Sequence, residues 1–124
     1  MKYYDVFVYG TLRQGGTNHY YLEEAMCIKN NIWLPGFRLY DFDQQYPFMV
    51  YANPDEKVRG ELYCINQEQL QLLNVLEDVQ NKLYKLVYAE ESRCFTYIKY
   101  DDEVGSLIHV DSGDWIQYIN NLIR

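Results

Sequence analysis

Residues Tyr3 to Tyr9 form an apolar, β-branched and aromatic run that stops at Gly10, the pattern of a buried strand entering a turn. Beyond the glycines, Thr17 or Asn18 can cap a helix, and Tyr21, Leu22, Ala25, Met26 and Ile28 then recur at helical spacing, so a helix is expected there. The stretch Asn31 to Phe42 is interrupted by Pro35-Gly36 and reads as an irregular strand. Tyr46 to Ala52 reads as another. After an Asn53-Pro54-Asp55 turn, Val58 to Ile65 alternates as a half-buried strand does.

Asn66 followed three residues later by Gln69 is a variant capping box, and it opens a helix predicted over Gln67 to about Asp78. Leu83 to Glu90 and Arg93 to Tyr100, joined by a short polar loop, predict an antiparallel hairpin. The acidic Asp101-Asp102-Glu103 is a solvated loop. Ser112-Gly113-Asp114 precedes an amphipathic terminal helix carrying Trp115, Ile116, Ile119, Leu122 and Ile123, with Trp115 packed inward. Strands gathered in antiparallel order with few helices give an α+β class. Closure into a small, mainly antiparallel β-barrel with packed helices would remove the exposed edges.

Composition fits that picture. The 124 residues are 48% hydrophobic and 17% aromatic, enough for one domain spanning 1–124 with its own core and no room for a second. Most of the 14 tyrosines are expected to pack strand faces and pocket walls. A net charge of −7 offers no long-range attraction to nucleic acid. No apolar window reaches the ~20 residues of a spanning helix, and the start lacks the ordered zones of a signal peptide, so a cytoplasmic protein with no membrane partner is expected. Cys27, Cys64 and Cys94 are odd in number and scattered, which favours reduced thiols; His19 and His109 lie far apart with no ligand spacing, so no metal is expected. Oligomeric state is left open.

Two places can carry chemistry. Tyr9 to Thr17, YGTLRQGGT, lies where a buried strand meets a glycine-rich loop, but Gly16 stands where a nucleotide-binding P-loop needs lysine. What remains is a choice between a plain strand-end turn and a small-anion site, built from backbone N–H groups after Gly10 with Arg13 beside them. The other place is Glu77, seven residues after Leu70 and four after Leu73, on the stripe those leucines bury. Burial and the C-terminal end of the helix dipole both raise a carboxyl's pKa toward the range of general acid–base work. A frayed helix end that releases Glu77 to solvent is the other possibility.

Tyr9-Gly10-Thr11-Leu12-Arg13, Gly60-Glu61-Leu62-Tyr63, Leu73-Asn74-Val75-Leu76-Glu77, Tyr84 and Ser112-Gly113-Asp114-Trp115, in this order, resemble the gamma-glutamylcyclotransferase-like (AIG2-like) family. The resemblance runs the whole chain. It implies a small mixed barrel with a ligand cavity at its mouth, a substrate loop over Tyr9, Gly10, Thr11 and Leu12, and Glu77 as acid/base. It further implies a lyase that cyclises a gamma-glutamyl amine or peptide to 5-oxoproline, releases the free amine and needs no cofactor. Asn74 stands where the family's helix commonly has aspartate, and Leu86 where an arginine is usual. These departures favour the alternative from another class, a non-catalytic small-molecule binding or regulatory protein that keeps the cavity.

Overall fold

The computed structural model describes residues 2–122. The elements are β1 (Tyr3–Val8), a 3₁₀ turn (His19–Leu22), β2 (Met26–Pro35), β3 (Phe37–Phe42), β4 (Tyr46–Tyr51), β5 (Lys57–Asn66), α1 (Gln67–Leu76), β6 (Tyr84–Ala89), β7 (Cys94–Lys99), β8 (Ile108–His109) and α2 (Trp115–Leu122). Five strands form a sheet in the order β2-β5-β1-β7-β6, in which only β1 and β7 run parallel; β4-β3-β8 form a second, antiparallel sheet.

Central strand β1 is buried on both faces, which is why its sequence reads as an apolar run rather than an alternation. Val6 and Val8 join Tyr63, Ile65, Leu70 and Leu73 in a core beneath α1. Phe7 and Tyr9 point the other way, into a core with Leu39, Met49, Val58 and Trp115. The hairpin β6-β7 and the helix opened by Asn66 are present. Both halves of the capping box form at 2.8 Å, with the Gln69 amide donating to Asn66 Oδ1 and the Asn66 amide to Gln69 Oε1.

The structure departs from expectation in three respects. Among the described residues the strands make two open sheets, not one closed barrel. The irregular strand over Asn31 to Phe42 is in fact two, split at Pro35-Gly36: proline has no N–H for the ladder, and Gly36 takes φ 87°, turning the chain from the five-stranded sheet into the other. The helix expected after Gly10 is only the 3₁₀ turn, and Met26 and Ile28 belong to β2. Met26 and Ile28 stand two apart, as strand residues do, and the helical look of the stretch comes from joining them to Tyr21 and Leu22 of the turn and to Ala25 between the two elements; β2 itself is irregular, with register shifts between Cys27 and Lys29 and between Lys29 and Ile32. Trp115 is buried as expected; Ile123, expected on the same helix, lies outside the described residues. No helix among the described residues is long and apolar enough to cross a membrane.

Candidate active site

A cavity of about 140 Å³ opens where β1 ends, and its lining includes Tyr9, Gly10, Thr11 and Leu12 of the loop together with Tyr46, Tyr84, Tyr97 and Glu77. Glu77 reaches it because α1 stops in time. The helix closes through paired 6→1 and 5→2 bonds, Val79 N–H to Asn74 O and Asp78 N–H to Val75 O, both at 3.1 Å, with Asp78 at φ 53° where glycine is usual. Glu77 is thus the C-cap rather than an interior helix residue, and its backbone N–H still bonds Leu73 O at 2.8 Å. The predicted helix end at Asp78 lies two residues too far.

Among the described lining residues Glu77 is the one carboxylate, and no lysine, arginine or histidine shares the wall. Burial raises its pKa to about 7. The tyrosine hydroxyls around it are committed elsewhere. Tyr9 donates to the carbonyl of Tyr97 at 2.6 Å, Tyr84 to that of Pro47 at 2.5 Å, and Tyr97 to Asn74 Oδ1 at 2.5 Å. Burial first, and the Glu77 charge after it, hold the hydroxyls of Tyr9, Tyr46 and Tyr97 above their ordinary pKa. Asn74, the residue in place of the family's aspartate, therefore keeps a buttressing role as an acceptor.

The loop contributes backbone to the lining. Gly10 is required there by close approach, since a Cβ would fall 2.7 Å from Pro47 Cγ. The carbonyls of Gly10, Thr11 and Leu12 accept from Arg13 N–H, Asn18 N–H and His19 Nδ1 at 3.1, 2.8 and 2.9 Å. The amides of Gly10, Thr11 and Leu12 enter no hydrogen bond among the described residues, and three free donors beside a cavity suit a carboxylate. Asn18, expected as a helix cap, instead ties the loop, its Nδ2 donating to Thr11 Oγ1 at 3.0 Å.

Arg13 is not among the cavity-lining residues. Its guanidinium is buried between two acids, Nε donating to Glu61 Oε2 at 3.1 Å and Nη1 to Asp114 Oδ1 at 2.8 Å. Asp114 also accepts from Arg59 Nη1 at 3.0 Å and from the Gln117 amide at 3.1 Å. Burial opposes its ionisation, but these donors outweigh burial and leave its carboxyl below the ordinary range. Sequence reasoning did not pair these groups, although Glu61 and Asp114 both sit in the motifs that mark the family. It also overlooked Tyr46 and Tyr97, which no local pattern separates from packing tyrosines.

Residues 6–117 match the family model described as "Gamma-glutamyl cyclotransferase, AIG2-like". The chain is 35% identical to a Vibrio cholerae protein named "Putative gamma-glutamylcyclotransferase", over 92% of this chain and 96% of the relative. It is 36% identical to the "Gamma-L-glutamyl-butirosin B gamma-glutamyl cyclotransferase" of Niallia circulans, over 60% of this chain and 46% of the relative. An uncharacterised protein from Pyrococcus horikoshii has the same fold, with a TM-score of 0.77 and 25% identity over 97% of this chain and 96% of that one. A family match over nearly the whole length, and a relative 35% identical over almost all of both chains, place this chain in the gamma-glutamyl cyclotransferase, AIG2-like family.

Proposed function

We propose that the protein is a gamma-glutamyl cyclotransferase that converts a gamma-glutamyl amide to 5-oxoproline and a free amine, with Glu77 as the acid/base. The observation that supports this reading is a cavity whose described lining holds one carboxyl, Glu77, of raised pKa, together with the Gly10–Leu12 backbone, whose amides enter no hydrogen bond among the described residues. The amides of Gly10 to Leu12 hold the substrate's α-carboxylate, and Glu77 faces its α-ammonium. Glu77 takes one proton from the ammonium, the neutral amine attacks the γ-carbonyl carbon, and Glu77 returns the proton to the departing nitrogen as the C–N bond breaks. The amine's other surplus proton passes to water or to the freed amine. One carboxyl suffices because nucleophile and electrophile belong to the same molecule, and folding the substrate in the cavity brings them together.

The butirosin relative is named for a gamma-glutamyl compound that is not a simple peptide, so the assay spans gamma-glutamyl amines, gamma-glutamyl peptides and glutathione, with 5-oxoproline as the readout. Turnover of at least one supports the assignment. Inertness toward all, with 5-oxoproline still bound, would instead support a binding protein that keeps the cavity.

A further inference from the structure

The loop from Tyr9 to Leu12 is an arch with both feet on one residue. At its start, Val8 is the register partner of Glu61 across the β1–β5 ladder. At its end, Glu61 Oε1 accepts the Gln14 amide at 2.9 Å while Oε2 accepts Arg13 Nε at 3.1 Å. Tyr63 donates its hydroxyl to the same Oε1 at 3.0 Å, and Asp114 at the start of α2 takes the other side of the guanidinium. The Arg13 backbone links two successive turns, its N–H donating to Gly10 O at 3.1 Å and its carbonyl accepting from Gly16 N–H at 2.8 Å. Glu61, Arg13 and Asp114 are 2%, 7% and 3% exposed, so water does not compete for these contacts.

From this we infer that Arg13 is a positioning residue: clamped by Glu61 and Asp114 behind the arch, it sets the direction of the Gly10–Leu12 amides without touching substrate. The inference rests on the cyclotransferase reading only in naming those amides as the carboxylate site. A guanidinium is suited to this task because its planar fork engages two carboxylates at once, whereas an ammonium supplies a point charge. Small displacements at a site of this kind cost large factors in binding and rate.

Two variants test it, R13K and R13M/E61L, each with the melting temperature recorded. R13K keeps the charge and loses the fork; R13M/E61L removes the Arg13–Glu61 pair together and leaves Asp114 the bonds it accepts from Arg59 and the Gln117 amide, and replacing a buried pair by apolar side chains often preserves stability. In both, KM for the best gamma-glutamyl substrate and Kd for 5-oxoproline should rise about tenfold or more, while the acid limb of the kcat profile, set by Glu77, stays in place. Folded variants with wild-type KM and Kd would overturn the inference and reduce the cluster to a stabilising one. Should R13K fail to fold, the double variant decides. If the wild type binds 5-oxoproline but turns over nothing, the cyclotransferase reading fails alone and Kd still decides the role of Arg13. If the wild type does not bind it, both fall.

Discussion

At Glu77 the sequence and the structure agree on the direction of the pKa shift and on burial as its cause. The spacing from Leu70 and Leu73 already placed this acid toward the interior, and the structure keeps it there as a C-cap whose pKa burial alone lifts from 4.5 to about 7. Two consequences follow from that value. In the proposed mechanism the carboxylate is the proton acceptor, so kcat/KM should climb with pH through about 7 and level above it, and a pH–rate profile with no inflection between 6 and 8 would contradict this. For stability the sign runs the other way. A raised carboxyl pKa means that the folded state binds the proton more tightly, so stability falls as pH rises from 4.5 through about 7. Glu77→Gln carries no such charge, so denaturant titrations should find the variant more stable than wild type above pH 8, by on the order of 1–3 kcal/mol for a partly accessible group, with the two converging near pH 4. Arg13 shows the limit of reading single residues: its proximity to the loop in sequence suggested a substrate contact, and only the fold reveals the two acids with which it is paired.

Elements were legible where the signal is local. The Asn66–Gln69 box, the β6–β7 hairpin and the buried β1 need only near neighbours to be recognised, and each stands in the structure. Removing the box by Asn66→Ala should cost about 1 kcal/mol, read as a fall of about 4 °C in melting temperature. What could not be read depends on partners distant in sequence. The bulges in β2 are set by pairing with β5, and the two-residue β8 exists only because β3 offers it an edge at Tyr40 and Asp41. The same distant pairing explains Gly60, where a Cβ would lie 2.1 Å from the carbonyl oxygen of Val8. Gly60→Ala should part β1 from β5 just beneath the arch and cost roughly 1–3 kcal/mol. Thermal unfolding of this variant within a degree of wild type would show that the two strands can yield there.

Across the whole molecule, the α+β class followed from the mixture of periods, whereas the closed barrel was an inference from edge avoidance that the chain satisfies otherwise. It bends at Pro35-Gly36 into a second sheet, and it roughens the β2 edge with bulges. The net charge of −7 does not forbid an anionic substrate group, because solvent and salt screen charges beyond ~8–10 Å, while donors such as the amides proposed to hold it would act at contact distance. The proposed function rests on one carboxyl and one backbone loop that line the same cavity. Glu77→Gln tests that arrangement most directly, since it keeps the side chain's shape while removing its capacity to accept a proton. On a gamma-glutamyl amide that the wild type turns over, 5-oxoproline formation should fall by about 10²–10⁴-fold while the Kd for 5-oxoproline changes by only a few-fold; turnover by Glu77→Gln close to wild type would contradict the account.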